Sequence, residues 1–238
     1  MKLDILAFGA HPDDVEISCA GTLIKEVQNE KKVGVIDLTQ GELGSRGTKE
    51  TRKEEAKRAA EILQLSIREN LMLADGFFEV NEENLLKIIS KIRQYKPNII
   101  ITNSKTDRHP DHGRGYELVE RAAFLAGLVK IETSLKGEKQ EKWRPNLVLN
   151  YIQDHYIKPD VVVDITNTFE TKMKSILAYK TQFYNPDSTE PQTPISSPEF
   201  LEHIKGRALQ FGRNIKVKYA EGFTCSRILG VDSVFDLL

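Results

Sequence analysis

The chain has 238 residues, with 34 basic and 35 acidic side chains and a formal net charge of −1 at pH 7. Because nucleic-acid-binding domains usually carry a basic excess, this balance argues against a nucleic-acid partner. A hydrophobic content of 39% is ordinary for a globular protein, and no apolar run approaches the roughly twenty residues that a membrane helix needs.

The cysteines and the first residues of the chain bear on its location. Cys19 and Cys225 lie far apart and form no Cys-x-x-Cys pair, which argues against a disulfide framework and suits a reducing compartment. The opening segment, MKLDILAFGA, lacks the longer apolar stretch and the cleavage site of a secretory signal. We therefore expect a soluble cytoplasmic protein with no membrane partner.

Short apolar runs alternate with helical patterns through the first half of the chain. Strands are predicted over residues 3–8, 33–38, 70–73 and 98–102, and helices over 20–30, 49–65, 82–95 and 115–128. Continuous apolar runs are typical of strands that are buried on both faces. Strict alternation of strand and helix predicts an α/β fold, a Rossmann-like three-layer αβα arrangement with a mostly parallel sheet.

The second half of the chain is less regular. Strands are predicted over residues 147–152, 161–165 and 217–224, and helices over 169–179 and 198–212. Residues 185–198 contain four prolines and are predicted to form a loop that could act as a lid. We expect a single domain over 1–238, with a Rossmann-like core in 1–130 and a C-terminal completion in 131–238.

Two loops rich in histidine and aspartate follow predicted strands. They are GAHPDDVE at residues 9–16 and DRHPDH at residues 107–112, and they contain three of the five histidines. Ligands of open α/β sheets bind beyond the carboxyl ends of the strands, so these loops carry most weight. Catalytic zinc takes three ligands of the histidine and carboxylate kind and keeps one position open. The pattern therefore predicts a cation held by His11, Asp14 and His112.

The remaining polar residues of these loops are candidates for acid–base chemistry. Asp13 stays free beside the predicted cation and could act as a general base. His109 is also free, and Asp111 could orient its ring. A lone His-x-x-Asp is more often a hydrogen-bonded turn, and Asp13 or Asp111 alone would be read as a helix N-cap. Two such loops at equivalent strand ends favour a metal, which would also relieve repulsion between the carboxylates of Asp13 and Asp14. The same ligands would accept Fe²⁺ as readily as Zn²⁺.

A glycine-rich loop, GELGSRG at residues 41–47, follows the second predicted strand. It lacks the spacing of a dinucleotide fingerprint and has no Gly-Lys-Ser/Thr, so the glycines are expected to bring backbone close to a polar ligand. Arg52, one turn into the next helix, could reach the same pocket. The alternative for Arg52 is a surface position on a charged helix.

Several segments together resemble the LmbE-like, or PIG-L-type, zinc deacetylases. These segments are AHPDD, HPDH, GELGSRG with the following Arg52 and Glu55, YKTQF at residues 179–183 and YAEGF at residues 219–223. The resemblance thus spans nearly the whole chain. Within the family, HPDDVEI, DRHPDH and YAEGF look most like members that deacetylate N-acetylglucosaminyl malate in bacillithiol biosynthesis.

The resemblance implies roles for particular residues. The zinc ligands of the family fall on His11, Asp14 and His112, and its general base falls on Asp13. Its oxyanion-stabilising histidine falls on His109, with Asp111 as orienting partner. We expect His109 to be protonated when it stabilises the oxyanion, because Asp111 would favour the charged ring. Its substrate-contacting residues fall on Arg52, Arg108 and Glu42.

The implied function is zinc-dependent removal of the N-acetyl group from a small sugar-derived substrate, by a homo-oligomer of which a hexamer is one form. Two alternatives stay open at this point. The enzyme could act on another N-acetyl sugar or amide conjugate, or the chain could be a non-catalytic Rossmann-like module that binds a sugar or nucleotide. A structural zinc site is disfavoured because neither cysteine lies in a ligand loop.

Overall fold

Seven strands form one central sheet in the computed structural model, which describes residues 1–237. The strands are β1 (Ile5–Gly9), β2 (Val33–Thr39), β3 (Ile67–Leu73), β4 (Ile99–Thr102), β7 (Leu147–Tyr151), β8 (Val161–Asp164) and β9 (Ala220–Thr224). Between β4 and β7, β5 (Ser134–Leu135) and β6 (Glu138–Lys139) form a separate antiparallel hairpin. The order across the sheet is β3-β2-β1-β4-β7-β9-β8.

The sheet has a parallel part and an antiparallel edge. Strand β1 pairs in parallel with β2 on one side and with β4 on the other, and Ile5 is opposite both Val33 and Ile99. Strands β3 and β7 extend the parallel part, whereas β9 runs antiparallel to both β7 and β8. The chain leaves β1 for β2 on one side and later places β4 on the other, which makes a topological switch point between β1 and β4. Open α/β sheets bind ligands at such a point.

Helices cover both faces of the sheet. They are α1 (Asp14–Gln28), α2 (Lys49–Ile62), α3 (Glu82–Tyr95), α4 (Pro110–Leu125), α5 (Phe169–Leu177) and α6 (Pro198–Asn214), and a 3₁₀ helix spans Val234–Leu237. None of the described helices is long and apolar enough to span a bilayer. Local sequence sets several starts: Thr48 and Thr51 form a capping box at α2, and Ser197 precedes Pro198 at the first turn of α6.

The core lies in two layers, one on each side of the sheet. Because successive strand residues point to opposite faces, Leu6 and Phe8 of β1 enter one cluster and Ala7 enters the other. The first cluster packs against α3 and α4 and includes Ile88 and Leu118. The second packs against α1. This arrangement confirms the predicted three-layer αβα architecture with a mostly parallel sheet.

The largest differences from the predicted elements are at two helix starts. Helix α1 begins at Asp14 instead of near residue 20, and α4 begins at Pro110 instead of near residue 115. In both cases the first helical turn carries the polar residues of a His/Asp loop, and these residues hide the apolar periodicity on which the prediction depended. The loop before α6 is present as predicted, and no strand or helix occurs within 185–197.

Candidate active site at the sheet switch point

The two His/Asp loops meet at the carboxyl ends of β1 and β4. Asp13 has φ 117°, in the left-handed region, and this turn makes Asp14 the first residue of α1. An oxygen of Asp14 lies 3.5 Å from Nδ1 of His11, and its other oxygen lies 3.2 Å from Nε2 of His112. Asp14 thus contacts both His11 and His112, whose ring centroids lie 5.7 Å apart, so the three predicted metal ligands are neighbours in the structure.

The donor groups at this point suit a divalent cation. One ring nitrogen from each of His11, His109 and His112 lies within 4.8 Å of the others, and the same holds for ligand atoms of His11, Asp75 and Asp111. All but His109 are buried. Mixed imidazole and carboxylate ligands are those that zinc and Fe²⁺ take in catalytic sites. The described residues therefore fit a metal, and His11 is common to both groups.

The electrostatics at the two ligand histidines favour a bound positive charge. Burial lowers the pKa of His112, but the charge of Asp14 and hydrogen bonds to Asp107 and Asp14 outweigh it and raise the pKa to about 9. Burial likewise opposes protonation of His11, yet hydrogen bonds to Asp111, Asp14 and Asp75 hold its pKa well above the usual value. Without a metal, protons occupy these imidazoles, so a cation that binds there must displace them.

Asp13 lies beside the ligands and pairs with Arg52. Nη2 of Arg52 donates to Oδ2 of Asp13 at 2.7 Å and to the carbonyl of Pro12 at 2.8 Å, and Asp13 and Arg52 are both buried. Burial raises the pKa of Asp13 to about 6, although the charge of Arg52 opposes this rise. A carboxyl with such a pKa can take up and release a proton near neutral pH.

The glycine-rich loop after β2 makes room for Arg52. Gly41 has φ +65°, and a Cβ at this position would lie 2.6 Å from Nη1 of Arg52. Glycine therefore permits both the left-handed turn and the approach of the guanidinium. The Nε of Arg52 is buried without a hydrogen-bond partner. Arg52 is thus inside the site, and the alternative of a surface arginine is excluded.

His109 and Asp111 differ from the expectation in two respects. His109 is the N-cap of α4, and its Nδ1 accepts a hydrogen bond from the backbone N–H of Asp111 at 3.2 Å, so the backbone and not the carboxylate orients the ring. The carboxylate of Asp111 turns to Nε2 of His11 at 3.4 Å, and it accepts from the N–H of Gly76 at 2.8 Å. Burial, followed by the charges of His11 and His112, lowers the pKa of His109, which favours the neutral imidazole.

Arg108 and Glu42 occupy different surroundings. Arg108 is exposed, its Nε lies 2.7 Å from the carboxylate of Asp154, and it lines a cavity that His112 also lines. One carboxylate oxygen of Glu42 accepts from the N–H of Asp75 in the neighbouring loop at 3.1 Å, and the other accepts from the N–H of Gln40 in its own loop at 3.1 Å. Arg108 thus shares a cavity wall with His112, whereas Glu42 links the loop after β2 to the loop after β3.

Three site residues were not assigned from the sequence. Oδ2 of Asp107 lies 2.6 Å from Nδ1 of His112, Nε2 of Gln153 donates to Asp14 at 2.8 Å, and Oδ1 of Asp75 lies 3.0 Å from Nε2 of His11. Asp75 and Gln153 closely follow strands β3 and β7, so the strand-end rule could have found them.

The fold and its site define an α/β protein that gathers histidines and carboxylates at the switch point of a parallel sheet. A family model described as PIG-L, GlcNAc-PI de-N-acetylase, matches residues 6–123, which include both His/Asp loops. The chain belongs to this PIG-L, or LmbE-like, family.

Individual relatives match between 76% and 97% of the chain. A conserved protein of Thermus thermophilus has a solved structure that is 33% identical, with a TM-score of 0.85 and coverage of 97% of this chain and 98% of that one. A diacetylchitobiose deacetylase of Thermococcus kodakarensis is 27% identical over 92% of this chain and 81% of its own length. A probable N-acetyl-α-D-glucosaminyl L-malate deacetylase 2 of Bacillus subtilis is 27% identical over 76% of this chain and 84% of its own length. A 4-oxalmesaconate hydratase of Pseudomonas putida is 24% identical over 97% of this chain and 88% of its own length.

Proposed function

We propose that the protein is a metal-dependent hydrolase that removes the N-acetyl group from a GlcNAc-derived substrate. The observation that carries this proposal is the convergence of His11, Asp14 and His112 beside the buried carboxyl of Asp13. Membership of the PIG-L family and the presence of two deacetylases among the relatives support it.

His11, Asp14 and His112 would hold the cation, for which zinc is the first candidate and Fe²⁺ the second. A bound divalent cation of this kind lowers the pKa of a coordinated water towards neutrality and polarises a carbonyl oxygen. Gln153 and Asp107 would keep the ligands in place, because they hydrogen-bond Asp14 and His112.

Asp13 would move the proton during hydrolysis. With a pKa of about 6, its carboxyl is mostly ionised at pH 7 and can accept a proton from the attacking water. The same carboxyl, once protonated, can deliver that proton to the departing amine nitrogen. Arg52, at 2.7 Å, keeps the ionised form available in a buried position.

His109 would stabilise the developing oxyanion as a neutral donor. Its Nδ1 accepts from the backbone N–H of Asp111, so the ring proton must reside on Nε2. An Nε2–H that is held in this way can donate a hydrogen bond to the carbonyl oxygen as negative charge builds on it. No charge on the imidazole is required.

We further propose that the substrate is N-acetylglucosaminyl malate and that the enzyme works as a cytoplasmic homo-oligomer. Arg108 would meet a substrate carboxylate or hydroxyl, because it lines the same cavity as His112, and Arg52 would assist through its unpartnered Nε. Glu42 would act indirectly by bracing the rim.

The test is release of acetate by zinc-loaded protein from N-acetylglucosaminyl malate, N-acetylglucosamine and diacetylchitobiose, with the Asp13→Asn variant as the inactive control. The proposal expects acetate from at least one substrate, loss of turnover after chelation, and recovery on adding zinc. Preference for the malate conjugate supports the finer assignment, and preference for another substrate replaces it. Hydration of 4-oxalmesaconate without acetate release from any amide would contradict a deacetylase.

A further inference from the structure

Two carboxylates face the ring nitrogen of His11 that points away from Asp14. Nε2 of His11 lies 3.0 Å from Oδ1 of Asp75 and 3.4 Å from Oδ2 of Asp111, whereas Nδ1 lies 3.5 Å from Asp14. Asp75 and Asp111 are both buried. The imidazole is therefore held between carboxylates on opposite edges of its ring.

We propose that Asp75 is a positioning residue for the metal centre. Its Oδ1 accepts the Nε2–H of His11, and this bond selects the tautomer in which Nδ1 carries a free lone pair on the side of Asp14. Metal-ligating histidines commonly donate their second ring N–H to a carboxylate, which fixes both tautomer and ring orientation. The inference rests on the proposed function, in that it takes His11, Asp14 and His112 as the metal ligands.

The other ligand histidine shows the same arrangement with its ring reversed. Nδ1 of His112 lies 2.6 Å from Oδ2 of Asp107, and its Nε2 lies 3.2 Å from Asp14. Each imidazole thus has a carboxylate on its far nitrogen and Asp14 on its near nitrogen. Each near nitrogen can offer a lone pair to a cation only if the far nitrogen of the same ring keeps the single proton of the neutral imidazole.

An alternative is that His11, Asp75 and Asp111 form a cation site of their own. With one metal already on Nδ1 of His11, a second on Nε2 would require the imidazole to lose both protons. Asp111 is also committed elsewhere, because it accepts from the N–H of Gly76 and pairs with the guanidinium of Arg114 at 2.8 Å. A guanidinium on that carboxylate opposes a second cation, so the hydrogen-bonding role is favoured.

The loop after β3 holds Asp75 in place although β2 separates β3 from β1. Oδ2 of Asp75 accepts from the N–H of Leu43 at 2.9 Å, and the N–H of Asp75 donates to Glu42 at 3.1 Å. Both oxygens of Asp75 therefore accept hydrogen bonds. Asparagine has a single acceptor oxygen, so Asp75→Asn must lose either the bond to His11 or the bond to Leu43.

The experiment measures the zinc dissociation constant by competition with a chromophoric chelator, for the wild type, Asp75→Asn, His112→Ala and Asp4→Asn. Asp4 is a matched control, because its carboxylate accepts from the backbone N–H of Lys32 at 2.9 Å at the opposite end of the sheet. We expect Asp75→Asn to bind zinc about 10- to 100-fold more weakly than the wild type. The zinc affinity of His112→Ala should fall further, and that of Asp4→Asn should equal the wild-type affinity. Metal-free Asp75→Asn should keep a cooperative thermal transition.

A second measurement needs no variant. Long-range ¹H–¹⁵N correlation spectra of zinc-loaded wild type should show His11 protonated on Nε2. Protonation of His11 on Nδ1, or an unchanged zinc affinity in Asp75→Asn, overturns the proposal. The proposal is also overturned if His112→Ala still binds zinc and Asp75→Asn does not. If wild type binds no zinc, the proposed function fails together with this inference. If zinc affinity depends on Asp75 but no amide is hydrolysed, only the proposed function fails.

Discussion

Replacing Arg52 by methionine should move the acidic limb of the pH–rate profile to higher pH. The guanidinium of Arg52 lies 2.7 Å from Asp13, and both side chains are almost fully buried. An opposite charge at this distance lowers a carboxyl pKa by about one to three pH units. Without it, the pKa of Asp13 should rise from about 6 by that amount. Since the reaction needs ionised Asp13, the pH at which kcat/KM falls on the acidic side should increase by the same amount as the pKa of Asp13.

The magnitude follows from the ionised fraction. A carboxyl with a pKa of about 6 is about 90% ionised at pH 7. A rise of about two pH units reduces that fraction to roughly 10%, so the rate at pH 7 should fall about tenfold from protonation alone and recover by about pH 9. Methionine fills most of the buried volume, which limits packing losses.

The assay is initial acetate release at low substrate concentration from pH 5 to 10, with the metal content checked for each variant. Arg52→Lys keeps the charge, so its acidic limb should stay near that of the wild type even if substrate binding weakens. Arg58→Met serves as a control on the exposed side of the same helix. An unmoved acidic limb in Arg52→Met, or equal displacement in Arg52→Lys, would refute the coupling between Arg52 and Asp13.

Three further predictions concern metal binding, loop geometry and stability. Because the pKa of metal-free His112 is about 9, zinc binding at pH 7 should release about one proton or more, and zinc affinity should rise with pH until about 9. Calorimetry in buffers of different ionisation enthalpy measures the number of protons released, and zinc binding that does not depend on pH would count against this prediction. Gly41→Ala should displace the guanidinium of Arg52 and give the same pH–rate profile as Arg52→Met. Gly137→Ala is the control and should keep the wild-type profile, because open space surrounds Gly137. Equal activity in the two alanine variants would contradict this prediction. The buried ammonium of Lys172 lies 2.6 Å from the carboxylate of Glu221, and Glu221→Gln removes this charge partner. The free energy of unfolding, measured in urea, should fall by about 3–5 kcal/mol. A decrease below about 1 kcal/mol would show that the ion pair is not needed for stability.

The fold and the position of the site were largely predictable from the sequence, because each depends on local pattern. The apolar runs that became β1 and β4 marked buried parallel strands, and the rule that ligands bind at strand ends selected the loops with His11 and His112. Local pattern also predicted that Asp13 would stand apart from the ligand set. Its pairing with Arg52 depends on a left-handed turn and on a glycine in a distant loop.

What could not be predicted depends on strand order and ring orientation. Asp75 reaches His11 from a strand two positions away in the sheet, and the sequence does not show which loops cross that distance. His109 is the N-cap of α4, which begins at the next residue, and the carboxylate of Asp111 contacts His11. The role of Asp107 likewise depends on which nitrogen of His112 faces Asp14.

The most direct test of a shared metal centre is anomalous diffraction at the zinc edge from crystals of zinc-loaded protein. The account predicts one strong peak about 2.0–2.2 Å from Nδ1 of His11, a carboxylate oxygen of Asp14 and Nε2 of His112. A peak held instead by Asp75 and Asp111, or the absence of any peak at the switch point of the sheet, would contradict it.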